Sequence, residues 1–109
     1  MIVTDTFKAL GDPVRLEMLT RLSKGNHYSV GSLSSGLGLT RQGARKHLDV
    51  LAKARLVSLV PKGRETEVRL DTTAISEARA FITGLEQQWD ARLEALRDFV
   101  ESSENKNTG

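Results

Sequence analysis

Between Ile75 and Val100 the apolar residues Ile75, Ala78, Ile82, Leu85, Trp89, Leu93, Leu96 and Val100 follow one another at steps of 3, 4, 3, 4, 4, 3 and 4. Such steps place successive side chains on one side of an α-helix. Asp71-Thr72-Thr73 stands just before the run and offers capping oxygens to its first turn. The stripe covers about seven turns, roughly 40 Å at 1.5 Å per residue. A chain of 109 residues makes one domain with one modest core. Two readings compete: a core helix wrapped by its own domain, and a helix that meets a second copy of the chain. The length favours the second. The expected dimer surface combines Ile82, Leu85, Trp89, Leu93 and Leu96 with Phe7 and Leu10 of a short first helix.

Upstream, the start and stop signals are local. Asp5-Thr6 precede Phe7, Ala9 and Leu10, and Gly11 ends that short helix. Asp12 can accept the free amide hydrogens of a second helix, whose first position suits Pro13 because proline has no amide hydrogen to leave unpaired. Leu16, Leu19 and Leu22 follow on one face, and Gly25 supplies the stop. After the loop Asn26-His27-Tyr28, Ser29 caps a shorter helix with Val30, Leu33 and Leu37 inward. Gly31, Gly36 and several serines make it weak, at up to roughly 1 kcal/mol per glycine, so it must lean on its neighbours. Gly38 suits a left-handed turn, Leu39 fills the core, and Thr40 caps a further helix.

A short helix, a tight turn and a second capped helix form a helix-turn-helix. Val57-Ser58-Leu59-Val60 and Glu65-Thr66-Glu67-Val68-Arg69-Leu70 read as two strands joined by the turn Pro61-Lys62-Gly63-Arg64. The expected fold is therefore mainly α with a small β-hairpin, a winged helix-turn-helix with a long C-terminal dimerisation helix. Residues 1–100 form a single domain that includes dimerisation helices at about 5–24 and 73–100, and residues 101–109 form a disordered tail.

Composition excludes several classes. The chain has no cysteine, which removes disulfides, thiol switches, cysteine nucleophiles and thiolate metal sites. No apolar run approaches the ~20 residues of a membrane span, and the N-terminus has no secretory pattern, so a cytoplasmic location is expected. The net charge of +2 divides unevenly. Residues 41–69 carry eight basic and three acidic groups, while residues 70–109 carry four basic and eight acidic. A basic middle fits an anionic polymer.

That basic middle opens with LTRQGARKHLDVLAKARLV, residues 39–57. Ala44, Leu48 and Leu51 face inward, which leaves Arg41, Gln42 and Arg45 outward on the first two turns, where a helix in the major groove reaches base edges. Arginine can donate twice to guanine and glutamine suits adenine, each worth about 1–3 kcal/mol of discrimination. Thr40 and Lys46 suit phosphates, helped by the positive end of the helix. Lys62 and Arg64 at the hairpin tip suit flanking phosphate or minor-groove contact. Any one of these charges alone is most simply a solvated side chain. Several of them on two elements that this fold places on one face point instead to double-stranded DNA.

The wording FKALGDPVRLEMLTRL, then LTRQGARKHLDVLAKARLV, then KGRETEVRLD resembles the ArsR/SmtB-type family of bacterial winged-helix repressors, over about residues 6–100. The most specific parts are Phe7 to Leu19 and Lys46 to Leu51. The resemblance implies a homodimer that binds a partly palindromic operator and leaves it when a signal binds. It also implies a packing and hydrogen-bonding role for His47. Two positions depart from the family pattern. Arg55 stands where the family commonly has glycine, and a left-handed backbone there would carry strain of roughly 1 kcal/mol. Gly43 stands where a better helix former is usual.

Metal sensors of this family use cysteine pairs, or His/Asp/Glu clusters on the last helix. Here cysteine is absent and the last helix has no histidine. Zinc wants three or four converging ligands, and His27 and His47 do not assemble such a set, so a non-metal-sensing member with no cofactor is expected. A small-molecule effector is left open. The competing readings are a winged-helix protein-interaction or RNA-binding module, which would more often expose apolar residues at the Arg41/Gln42/Arg45 face, and an enzyme. No nucleophile with a positioned base and no paired carboxylates suggest catalysis, so no catalytic residue is expected.

Overall fold

The computed structural model describes the backbone of residues 3–107 and the side chains of residues 3–103. Asp12 begins the α-helical scaffold with its carboxylate: Oδ1 accepts from the Val14 N–H at 2.8 Å and the Arg15 N–H at 3.1 Å. Helix α2 (Pro13–Ser23) starts there, with α1 (Val3–Leu10) before it. Ser29 and Ser32 form a reciprocal capping box at the start of the five-residue α3 (Val30–Ser34). Thr40 Oγ1 accepts from the Gly43 N–H at 3.0 Å and opens α4 (Arg41–Lys53).

The chain divides into two compact units, one reaching to Ala78 and the other starting at Arg79. In the first, Met18 and Leu22 of α2, Leu33 of α3, and Ala44, Leu48 and Leu51 of α4 are buried together with Leu56, Val57 and Val68. Leu16 lies outside this core, 47 % exposed, where the sequence expects it inside. The inward face of α2 runs through Met18 and Leu22, and a residue two places before Met18 points about 200° away from it.

The sheet has three strands rather than two. Strand β1 (Tyr28–Ser29) pairs antiparallel with β3 (Glu65–Leu70), which pairs antiparallel with β2 (Val57–Lys62), in the order β1-β3-β2. The residues read as loop at Tyr28 thus become an edge strand, with Tyr28 opposite Val68. The hairpin turn is also tighter than expected. Pro61 and Lys62 belong to β2, and Gly63 and Arg64 alone make the turn, with Gly63 at φ 64. A two-residue hairpin turn needs positive φ at its first central position, which glycine adopts without strain. Pro61 fits because β2 is an edge strand.

Asp71 Oδ1 accepts from the Thr73 N–H at 3.0 Å and begins α5 (Thr73–Asn107). Its first turns bury Ala74 and Ala78. The expected irregular tail from residue 101 is helical instead as far as Asn107. No proline or glycine interrupts Glu101 to Asn107, so nothing in that stretch stops the helix. From Arg79 onward every large apolar residue is exposed: Phe81, Ile82, Leu85, Trp89, Leu93, Leu96, Phe99 and Val100.

Candidate nucleic-acid interface

Helix α4 is fixed from beneath before it presents anything outward. Ala44, Leu48 and Leu51 are fully buried, which sets its rotation about its own axis. Arg41, Gln42, Arg45 and Lys46 are consequently exposed. The preceding α3 is held at its end by a residue that sequence reading missed. Arg21 Nη1 donates to the carbonyls of Leu33 at 3.0 Å and Ser35 at 2.7 Å. Those carbonyls lie at the C-terminal end and cap of the five-residue α3, and a guanidinium there pairs carbonyls that the helix leaves unpaired. No periodicity marks Arg21, because its partners are backbone atoms twelve and fourteen residues away.

Arg15 ties α4 to the first helix. Its Nε donates to the Ala9 carbonyl at 2.7 Å and its Nη2 to the Lys8 carbonyl at 3.2 Å, while Nη1 lies 3.3 Å from His47 Nδ1. A guanidinium only donates, so in this contact His47 Nδ1 can serve only as the acceptor. His47 is thereby engaged in the scaffold under the recognition surface.

Four of the expected contact residues surround one concavity of about 340 Å³: Arg41, Gln42 and Arg45 from α4, and Arg64 from the hairpin tip. Ser29, Val30, Gly31, Glu65 and Thr66 complete its edges, and the sequence gives none of these a place in the contact surface. Arg45 Nε makes an i,i+4 ion pair with Asp49 Oδ1 at 3.3 Å, both side chains about half exposed. An exposed pair of this kind is worth at most about 1 kcal/mol. A bidentate arginine–guanine contact is worth about 1–3 kcal/mol of discrimination, so the pair does not prevent Arg45 from turning to a base.

Lys62 does not join that group. Its Nζ lies 3.8 Å from Glu67 Oε2, and it lines a separate recess with His27, Tyr28, Ser32 and Glu67. Glu67 is buried on the central strand, where strict alternation would have pointed it outward. It accepts from Arg69 Nη2 at 3.0 Å and lies 3.3 Å from His27 Nδ1. The Arg69 hydrogen bond, more than the His27 contact, holds its carboxyl below the ordinary glutamate value. Thr40 and Lys46 sit outside the concavity, Thr40 with its hydroxyl oxygen committed to the cap and its proton free to donate.

Helix α4 ends at an uncommon backbone. Arg55 has φ 59, the only positive value among the described non-glycine residues. The left-handed turn there allows the Leu56 N–H to reach the Leu51 carbonyl at 2.9 Å. At the other end, a Cβ added to Gly43 would sit 3.2 Å from Thr40 Oγ1. Glycine at that position leaves the capping hydroxyl room, an internal reason for a residue that otherwise weakens the helix. Among the described residues no three His, Cys, Asp or Glu side chains are grouped so as to hold a metal ion, and no helix is long and apolar enough to cross a membrane.

A helix-turn-helix followed by a hairpin, with arginines from both around one face, defines the winged-helix class. The comparisons with known proteins agree. A helix-turn-helix domain model matches residues 10–60. The uncharacterized HTH-type transcriptional regulator YuzN of Bacillus subtilis (strain 168) is 41 % identical over 64 residues, covering 53 % of this chain and 70 % of that protein. The transcriptional repressor SdpR of the same organism is 28 % identical over 76 residues, 70 % of this chain and 83 % of that protein. The solved structure of an ArsR-like transcriptional regulator from Rhodococcus sp. RHA1 superimposes with a TM-score of 0.80 at 33 % identity, covering 92 % of this chain and 91 % of that one. This chain belongs to the ArsR family of winged helix-turn-helix, DNA-binding transcriptional regulators.

Proposed function

We propose that the protein is a homodimeric repressor that binds a partly palindromic operator, with α4 in the major groove. The observation that carries this reading is the convergence of Arg41, Gln42, Arg45 and Arg64 on one concave face. In this assignment Arg41, Gln42 and Arg45 read base edges, and Thr40 and Lys46 bind phosphates beside them. Arg64 contacts the flanking duplex, and Lys62 contributes only after leaving Glu67. The repressing direction rests on the likeness to SdpR, itself a transcriptional repressor.

Dimerisation runs through α5, helped by Phe7 and Leu10 of α1. The exposed row Ile82, Leu85, Trp89, Leu93 and Leu96 supports it, being too continuous for isolated surface residues. A protein-docking or RNA-binding use of the wing is less favoured, since the face in question presents arginine and glutamine rather than apolar or aromatic side chains. No metal enters this reading, and a small-molecule effector remains compatible with it.

The test is selection of bound fragments from a random double-stranded DNA pool, repeated with added zinc and with a chelator. A palindromic motif with half-sites about one helical turn apart is the expected result, unchanged by zinc or chelator. Enrichment of no motif would remove the sequence-specific reading, and metal-dependent enrichment would remove the metal-free one.

A further inference from the structure

Helix α4 carries a single acidic residue, Asp49, among Arg41, Arg45, Lys46 and Lys53. Asp49 is exposed and stands one turn after Arg45 on the same side of the helix. Arg45 borders the concavity with Arg41, Gln42 and Arg64, and Asp49 stays outside it, behind Arg45. A carboxylate on a surface that meets DNA is repelled by the phosphates, and so lowers affinity for every sequence alike. Helix stability gives little reason to keep it. An exposed i,i+4 pair adds little, and here the arginine precedes the acid, the weaker of the two orders. A cost paid on all DNA calls for a gain on some DNA.

The geometry of the contact shows where that gain lies. Arg45 Nε donates to Asp49 Oδ1 at 3.3 Å. This commits the inner nitrogen of the guanidinium and leaves the paired N–H groups of Nη1 and Nη2 for an acceptor ahead of it. Guanine presents such a pair of acceptors, O6 and N7, in the major groove. Resting on the reading of α4 as the base-reading helix, we propose that Asp49 is a specificity-determining positioning residue, which holds Arg45 end-on for guanine. Two effects follow. A long side chain already held in place loses less freedom when it binds, so the correct base gains. The carboxylate also offsets the arginine's charge, so Arg45 draws less benefit from a phosphate at an arbitrary sequence. In water the pair is weak, but once the helix enters the groove and water leaves, the same hydrogen bond strengthens. Asp49 therefore acts through Arg45 and raises the difference between sequences rather than affinity itself.

The experiment compares the full chain with Asp49→Ala, Asp49→Asn, Arg45→Ala and the double variant Arg45→Ala/Asp49→Ala. Each is titrated against the duplex selected from the random pool, against its single-base variants and against a scrambled duplex, at several salt concentrations. Circular dichroism checks that helicity is kept, as the exposure of Asp49 leads one to expect. Asp49→Ala should bind the scrambled duplex about two- to fivefold more tightly, with a salt slope steeper by about one as Arg45 turns to a phosphate. At one guanine position its discrimination should fall about fivefold. Asp49→Asn should move both quantities in the same directions, since it removes the charge at constant shape. In the Arg45→Ala background Asp49→Ala should change base preference no further. Discrimination left intact at every position in Asp49→Ala and Asp49→Asn would overturn the proposal, with α4 still the reading helix. An equal change in base preference with and without Arg45 would also overturn it, and would make Asp49 itself the reader, through cytosine N4. A wild-type chain that selects no motif would overturn the base-reading assignment and this proposal with it.

Discussion

The unit that ends at Ala78 and the helix from Arg79 onward use apolar residues in opposite ways. In the first, leucines and valines drawn from three helices and a sheet bury one another, and Leu33, Leu48, Leu51 and Leu56 show no exposed surface at all. In the second, Trp89 is 66 % and Phe99 72 % exposed, and no large apolar residue is covered. One region satisfies its own hydrophobic demand. The other carries a comparable density of apolar side chains, all of the large ones exposed, which fits the proposed pairing with a second copy.

The sharpest way to break that contrast is a pair of substitutions of similar chemical size. Leu48→Ala removes a fully buried side chain and should lower stability by about 2–5 kcal/mol, equally at every protein concentration. Leu93→Ala should leave the melting of the dilute chain nearly unchanged and lower it only where dimers form, because the stabilising contact there depends on mass action. Trp89→Glu, which places a charge at the centre of the apolar row, should weaken association by about 2–4 kcal/mol, the range of an interface hot spot. On the proposed dimer reading, sedimentation should then show monomers at concentrations where the wild-type chain associates. A concentration-independent loss in Leu93→Ala would mean that α5 is an internal element after all.

A second contrast lies within the recognition surface. Arg45 and Arg64 border the concavity, and Lys62 is turned toward Glu67. Arg45→Ala should cost about 1–3 kcal/mol on the operator and relax preference at one base position. Arg64→Ala should weaken specific and random DNA alike and reduce the salt slope by about one. Lys62→Ala should do the same to a smaller degree, since phosphate binding by Lys62 competes with its ion pair. Titration of labelled operator and scrambled duplex at several salt concentrations separates these outcomes. Equal losses on both duplexes for Arg45→Ala would take base reading away from α4.

How far the sequence revealed this arrangement depends on whether the cause was local. The caps at Asp12, Ser29, Thr40 and Asp71 act over two or three residues and were legible, as were the buried face of α4 and the row on α5. The left-handed residue at Arg55 was legible only as a departure from the family's glycine, and the structure places it at φ 59. What was hidden depends on distant chain. Strand β1 is two residues long and exists because β3 lies beside it. Burial of Glu67 follows from the central place of β3 in the sheet, and the roles of Arg15 and Arg21 follow from carbonyls on other helices. Leu16 shows the converse failure, a residue with correct spacing placed on the wrong side because Met18 was left out of the stripe.

Arg55 offers a smaller test on the core side of the comparison. Glycine at this position would release a left-handed strain of about 1–2 kcal/mol and give back about 0.4–1 kcal/mol through the greater freedom of the unfolded chain. Arg55→Gly should therefore raise the melting temperature by a few degrees, on the scale of about 4–8 °C per kcal/mol for a domain of this size. Operator affinity should stay unchanged, because Arg55 follows the helix and takes no place around the concavity. A drop in affinity would give the side chain a role in DNA contact that its position does not suggest.

The smallest expected effect concerns acid. The Asp12 carboxyl is held below its ordinary value of 3.8, first by the Arg15 backbone N–H and then by that of Val14. A carboxylate with a depressed folded value stabilises fully above its unfolded value, and the contribution is lost as pH falls through the folded value. Between neutral pH and about 5 the α2 cap should therefore contribute constantly, and below about 4 it should fade. Asp12→Asn keeps an acceptor oxygen for both N–H groups and cannot titrate. Its thermal stability should track wild type near pH 7 and decline less steeply below pH 4. Because the cap belongs to the unit that closes its own core, the difference should persist in Trp89→Glu monomers. Its disappearance there would show that the stability of the first unit depends on pairing.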